Sequence, residues 1–242
     1  VTNNDNAYRT ASILHDAGLT VAMIIDVRRD ISGDWPKHIK NLGIDIKTGY
    51  AVARVLGKKS VEAVEICGYA GEGSVLETVE CDAVLMSGGW SPTVHLFSQS
   101  QGKLRYDNRI GAFCPGTSVQ RQRSVGSCNG AFDLASCLHE GWQAGIDAAA
   151  DAGLSGTKSG EAPQAEPTET GDPRFVWLIP TSDPIGQGGK HFVDFQNDST
   201  AADIQLAARE GFESIEHMKR YTTTGMGTDQ GKVGNINGLA IL

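Results

Sequence analysis

The chain has 242 residues, a net charge of −8 and a pI of about 5.2, with 40% apolar and 21% charged residues. That balance suits an ordinary soluble globular protein and argues against nucleic acid as a partner. No apolar run reaches the roughly 18 residues of a membrane span, and residues 1–20 lack a basic start followed by an apolar core. Five cysteines, at 67, 81, 114, 128 and 137, form no C-x-x-C pair. An odd count without a paired motif points to a reducing, cytoplasmic setting rather than a disulfide frame or a zinc site.

The opening "VTNNDNAYRTASILHDAGLTVAMIIDVRRD" predicts a turn, a helix over about 5–16, a stop at Gly18 and a strand over 20–26. This is the second half of a βαβ unit. The strand that should precede Asn3 is all but absent, so the chain reads as a piece of a longer protein. A dinucleotide turn would carry glycine, whereas "TNND" carries side chains that crowd a phosphate. The plainer reading is a half-domain that only packs. Asp26 stands where an acid could take a ribose hydroxyl.

Residues 40–87 alternate or run apolar between Gly-rich turns, which predicts a strand meander. "GYAGEG" at 68–73 is followed by no helical pattern and is rejected as a phosphate loop. "CDAVLMSGGWSP" predicts a buried strand, Ala83–Met86, running into Ser87, Gly88, Gly89 and Trp90. A Gly pair at a strand's carboxyl end lets backbone approach a flat or charged ligand. Then "SVGSCNGAFDLASCLHEGWQAGIDAAADAG" predicts the turn Gly126–Ser127 and a helix from about 130 to 152, with Leu134, Leu138, Trp142, Ile146 and Ala149 at helical spacing. The N-terminus of that helix is expected to face the same ligand as Gly88 and Gly89.

Residues 154–173, rich in Pro, Gly and acidic residues, read as a linker. In the last third, Thr200 with Asp203 predicts a capping box opening a helix to about Arg209. Ser214 opens a second helix to about Tyr221, and Thr228 or Asp229 a third, with Ile204, Leu206, Ile215 and Met218 as a small core. In "KRYTTTGMGTDQGK", residues 219–232, the side chains of Arg220, Thr222, Thr223, Gln230 and Lys232 and the free N–H groups of a helix start have the makeup of an anion or phosphate cradle. A solvated helix end with Thr caps is the alternative. The six histidines are scattered, and no catalytic or metal-ligating constellation stands out.

"DAVLMSGGWSP", "GAFCPG" and "VGSCNGAFDLASCLHEGWQAG" resemble the closing segment of two-dinucleotide-domain flavoproteins of the disulfide-reductase type. Ser127 stands where that family carries an Asp for the flavin ribityl chain, which disfavours FAD and suits a different dinucleotide; the redox Cys pair is missing as well. "HFVDFQNDSTAADIQLAAREGFESIEHMKRYTTTGMGTDQGKVGNINGLAIL", together with "TNNDNAYRTA" and "AGLTVAMIIDVRRD", resembles more specifically the α subunit of heterotetrameric sarcosine oxidase. The resemblance implies an α/β fold. Residues 1–82 would be a remnant of a second Rossmann-like domain with a strand meander, and 83–153 the C-terminal part of the main dinucleotide-binding domain. Residues 174–242 would be a small helical module like a [2Fe–2S] domain without its cluster, since Asp194, Gln196, Asp229 and Gly234 stand at the ligand positions. Those four residues cannot replace four thiolates around iron.

The same resemblance implies an NAD site that includes Gly88, Gly89, Trp90, Gly126 and Ser127, and FMN at a subunit boundary near Arg220 and Lys232. It further implies FAD and tetrahydrofolate elsewhere in the complex, and β, γ and δ subunits as partners. Chemistry would lie on another subunit, leaving binding and assembly to this chain. The rival readings are the α subunit of a related flavin-dependent amine, proline or opine dehydrogenase, a free-standing NAD(P)H reductase, and a pure interaction module.

Overall fold

In the computed structural model of the protein, residues 1–70, 73–154, 160–166, 168 and 171–242 are described. Parts of the expected linker 154–173 and of the 68–73 turn lie outside the described residues. Two units form: residues 1–88 with 174–242, and residues 89–173.

The first unit begins with a parallel sheet. β1 (Ile24–Asp26) pairs in parallel with β2 (Ile46–Thr48), Ile24 opposite Ile46. Thr2 bridges in parallel to Asp26 on one side and to Ser87 on the other. The bonds Thr2 N–H to Ile25 O (2.8 Å), Val27 N–H to Thr2 O (3.1 Å) and Ser87 N–H to Val1 O (2.9 Å) make residues 1–3 a working strand. Residues 1–3 therefore supply the strand that precedes the first helix, short as it is. Across the sheet the order is 46–48, 24–26, 1–3, then Ser87. The strand expected over 83–86 is reduced to that last bridge, and the one expected over 20–26 to 24–26.

Successive residues of β1 face opposite sides of the sheet. Ile24 packs with Tyr8 and Ala11 of α1 (Asn6–Asp16), with Ile39 of α2 (Asp34–Asn41) and with Ile44. Ile25 packs with Val64 and Ile66 on the other side. Those two belong to β4 (Ala63–Gly68), the middle of an antiparallel sheet between β3 (Tyr50–Leu56) and β5 (Val75–Glu80).

The C-terminal part of this unit has its own small core. The hairpin β8 (Phe192–Asp194) and β9 (Ser199–Thr200) leads into α5 (Ala201–Arg209), opened by the expected capping box of Thr200 and Asp203. α6 (Ile215–Thr222) starts at Ser214, whose side chain accepts from His217 N–H as expected. Val193, Ala201, Ile204, Ala207 and Met218 form the core, with Ile215 against it. Leu206 is 37% exposed, because Ala201, Ile204 and Ala207 set the inward face and Leu206 falls outside it. The last helix, α7 (Asn235–Ile241), begins later than the sequence suggests. Gln230 and Gly231 take positive φ of 52° and 74°, which breaks any helix begun at Thr228 or Asp229. At Gly238 a Cβ would stand 3.3 Å from Met218 Cε, so glycine lets α7 lie against the core.

The second unit holds α3 (His95–Gln99), the hairpin of β6 (Lys103–Asp107) and β7 (Ala112–Thr117), a 3-10 turn over Gly126–Asn129, and α4 (Leu134–Asp151). α4 starts four residues later than expected, since Gly130 takes φ 94° and Asp133 caps the helix through Ser136 N–H. No residue of α4 is buried, although Leu134, Leu138, Trp142 and Ile146 share one stripe. The small core of this unit is Ile110, Ala112 and Cys114.

Candidate functional site

Three places carry the groups a ligand would use, and in each the chain's own side chains take up many of those groups. The first lies at the carboxyl ends of residues 1–3 and Ser87. Asn3 Nδ2 donates to Gly88 O at 3.1 Å, and Asn4 Nδ2 donates to Ser87 O at 3.1 Å and to Asn3 Oδ1 at 2.8 Å. Both asparagines are 7% exposed. Carboxamides thus span the gap that a glycine turn would leave for a pyrophosphate. Asp26, expected as a ribose acceptor, is fully buried. It accepts from Tyr8 Oη at 2.7 Å and from Arg28 Nη2 at 2.7 Å, and the same guanidinium reaches Asp5 at 2.7 Å. Burial first, then the bond to Asp26, raises the Tyr8 phenol far above its ordinary value. The Arg28 guanidinium is held charged by Asp26 and Asp5 against a burial that alone would lower it. The Asp26 carboxylate is therefore committed, and ribose recognition by it is corrected to a structural ion pair.

The second place is the turn Gly126–Asn129. Gly126 N–H donates to Glu140 Oε2 at 2.8 Å, and Asn129 Nδ2 donates to the same oxygen at 3.3 Å. Asp133 holds Ser136 N–H at 2.9 Å, and its bonds to Ser136 keep its carboxyl below the usual range. The N–H groups expected to face a phosphate are thus met by two internal carboxylates. Ser127 is exposed, as are Gly89 and Trp90 of the same unit, while Gly88 ends the other unit. A groove of about 460 Å³ runs beside this turn, lined by Ser124, Asn129, His139, Glu140 and Gln143 among others. Arg123 in its wall is paired to Asp147 at 2.5 Å and Asp151 at 3.0 Å.

The third place is the loop after α6. Asp194, 6% exposed, accepts from Gln196 N–H (2.8 Å), Asn197 N–H (3.1 Å) and Gly225 N–H (2.7 Å). Burial by itself would raise its carboxyl, yet these backbone donors hold it below the ordinary value. Gln196 Oε1 takes Thr228 N–H at 2.5 Å and Thr228 Oγ1 at 2.6 Å. Asp229 folds back on Gly231 and Val233 N–H. The amide of Asn235 fills the hollow between Gly225 and Gly231, where any Cβ would overlap it. At Gly234 a Cβ would meet Val193 O at 2.5 Å. The four positions where the resemblance would place cluster ligands thus carry a carboxylate, an amide, a second carboxylate and a bare backbone, the first three bonded to the chain itself. Among the described residues no group of three or more His, Cys, Asp or Glu could hold a metal ion.

The same loop corrects part of the phosphate-cradle expectation. Thr222 Oγ1 donates to Met218 O (2.9 Å), Thr223 Oγ1 to Thr222 O (2.6 Å) and Gln230 Nε2 to Gly227 O (2.9 Å). These donors close the loop on itself. Arg220 and Lys232 are exposed. The sequence also gave no sign of the Ser12–His38 pair, with Oγ and Nε2 at 3.0 Å. The partners are 26 residues apart and tie α1 to α2. Ser12 is buried, and among the described residues His38 has no carboxylate partner, so the pair reads as a helix-to-helix tie. Glu140 and Asn235 were equally invisible, because neither lies in a motif and each acts across a turn.

A family profile described as "Sarcosine oxidase A3 domain" matches residues 188–242. The chain is 36% identical over its full length to "Sarcosine oxidase subunit alpha" of Corynebacterium sp. (strain P-1), 37% to that of strain U-96, and 32% to that of Rhizobium meliloti (strain 1021). It spans 25%, 25% and 23% of the lengths of those relatives. Among solved structures it is similar to "L-proline dehydrogenase from P.horikoshii", with a TM-score of 0.61 and 19% identity, covering 95% of this chain and 46% of that one. That likeness shows a shared mixed α/β fold. Over its whole length the chain is a homologue of sarcosine oxidase α subunits, corresponding to about a quarter of one.

Proposed function

We propose that the chain is part of the α subunit of a flavin-dependent sarcosine oxidase complex in the cytoplasm. The complex would demethylate sarcosine to glycine, with oxygen as electron acceptor and folate as one-carbon acceptor. The single observation that carries this reading is the full-length similarity to three α subunits, at 32–37% identity. The chain would contribute dinucleotide binding and assembly with β, γ and δ subunits. No nucleophile, base and cavity converge among the described residues to suggest the chemical step itself.

The sheet order supports the dinucleotide part. Counted along the chain, strands 1–3, 24–26, 46–48 and the Ser87 bridge lie in the order 3-2-1-4, that of a doubly wound nucleotide-binding half. The meander β3–β5 replaces a crossover helix. In this half, however, Asn3 and Asn4 stand across the crevice. NAD would instead be held by the rest of the expected set, Gly89, Trp90, Gly126 and Ser127, with Gly88 O already taken by Asn3. The residues present do not by themselves make a pyrophosphate cradle, since Glu140 takes Gly126 N–H. The phosphate contacts would then come from polypeptide outside these 242 residues. FMN would sit near Arg220 and Lys232 at a subunit boundary.

The test is to purify the full α subunit with its partner subunits and measure peroxide formed from sarcosine, L-proline and an opine. Sarcosine-specific peroxide supports the reading. Turnover of proline or an opine with a dye acceptor and no peroxide would replace it with the dehydrogenase reading, which the fold likeness to L-proline dehydrogenase favours.

A further inference from the structure

A second hollow, of about 300 Å³, opens at the far edge of the parallel sheet in the first unit. It is lined by Arg29, Asp30, Ile31, Lys40, Ile46 and Thr48. Thr48 closes β2, Arg29 follows β1 by three residues, and Lys40 lies in the last turn of α2. Arg29 and Thr48 stand at the carboxyl side of the two parallel strands, while Ile46 opens β2 and Lys40 ends the helix that leads to it, so the hollow runs along the outer face of the edge strand.

We propose that this hollow binds a phosphate monoester, with Arg29 and Lys40 supplying positive charge and Thr48 a hydroxyl. Three observations converge. Neither Arg29 nor Lys40 forms an ion pair among the described residues, whereas nearby Lys47 is paired with Glu77, Arg28 is paired with Asp5 and Asp26, and Arg54 is paired with Glu65. Lys47 is adjacent to Thr48 in β2 and so points to the opposite face. Gly49, at φ 78°, leaves room for the Arg29 stem: a Cβ there would stand 3.2 Å from Arg29 Cγ. The charges of the lining residues are two cations against the one carboxylate of Asp30. In a chain of net charge −8, anions are repelled in general, so two unpaired cations in one concavity mark a local exception. A phosphate fits better than a carboxylate, because its three free oxygens can meet guanidinium, ammonium and hydroxyl together. The dinucleotide crevice is not required, and neither is the family assignment.

The experiment is isothermal titration of the full 242-residue chain with inorganic phosphate, adenosine 2′-phosphate and NAD at low ionic strength. Saturable binding of inorganic phosphate and of adenosine 2′-phosphate, weakened by added salt, is expected, and NAD, whose two phosphates are bridged by an anhydride and have no terminal phosphate, should bind more weakly than adenosine 2′-phosphate. Equal affinity for inorganic phosphate and adenosine 2′-phosphate would mean that the phosphate alone is read. Tighter binding of the nucleoside form would mean that the hollow also holds the sugar or base. Arg29→Gln with Lys40→Gln should weaken binding at least about tenfold, or about 1.4 kcal/mol. Both side chains are exposed, so the far-UV spectrum and unfolding midpoint should be unchanged. No saturable binding up to about 10 mM, well above the millimolar range of weak sites, would overturn the proposal. Binding that survives in the double variant would overturn it too.

Discussion

The Asn3–Asn4 turn and the loop after α6 are both places where a ligand is expected by resemblance, and both are taken up by the chain itself, in different ways. At the first, neutral carboxamides bridge a strand end to carbonyls of Ser87 and Gly88. At the second, a buried carboxylate, Asp194, gathers three backbone N–H groups. The difference follows from what each backbone presents. A parallel strand end next to Ser87 offers carbonyls, which need donors. A loop wound with positive-φ residues at Thr223, Gly225, Gln230 and Gly231 offers inward N–H groups, which need an anion or acceptor. A buried carboxylate is held below its ordinary pKa only where enough donors reach it, and Asp194 meets that condition.

The largest expected effect comes from the charged network beside the first turn. Asp26→Ala leaves Arg28 buried with Asp5 alone and strips Tyr8 of its acceptor, at a cost of about 3–5 kcal/mol. Urea unfolding of the whole chain measures this. A loss under about 1 kcal/mol would mean that the network is solvated in solution. Replacing Asp5, Asp26 and Arg28 together by Asn, Leu and Met should cost less than Asp26→Ala, because the charged network is then removed as a whole.

Next is Asp194→Ala, which orphans three backbone N–H groups and should cost about 3 kcal/mol. Its pH signature separates carboxylate from amide filling. The folded-state pKa of Asp194 lies below the unfolded value of about 3.9, so its contribution is fully present above that pH. It is lost as pH falls through the folded pKa. Wild-type stability should therefore drop on acidification below about pH 4 by more than that of Asp194→Asn, read from thermal midpoints. Parallel curves would remove Asp194 as the cause.

Asn3→Ala and Asn4→Ala should each cost about 1–2 kcal/mol, with no pH dependence, since only neutral bonds are lost. Neither change should create NAD binding, because Asp26 stays committed to Arg28. Appearance of NAD binding in Asn3→Gly with Asn4→Gly would show that the amides alone block the crevice. The smallest effect is on the outside of the second loop. Arg220→Ala with Lys232→Ala should change stability by no more than about 0.5 kcal/mol, as surface positions do. In the assembled complex it should lower FMN affinity about tenfold if those cations meet the flavin phosphate. Unchanged flavin content at limiting FMN would leave the loop with no ligand role.

The sequence by itself determined the local pieces. The capping box of Thr200 and Asp203 and the Ser214 cap need only neighbours three residues away, and both formed as read. The strand meander followed from alternation. The likeness to an oxidase α subunit was also legible, from extended segments of residues rather than from any site.

Tertiary structure decided what those pieces enclose. Leu206 satisfied the helical period yet lies outside the core, because inward facing depends on where β8 and α6 stand. Residues 1–3 carry no strand signature of their own and become a strand only between Asp26 and Ser87. Glu140 reaches Gly126 across 14 residues, Asp194 reaches Gly225 across 31, and Asn3 reaches Gly88 across 85. Such contacts have no period and no motif. They exist because a buried N–H or C=O must find a partner, and which side chain supplies it is fixed only when the chain has folded.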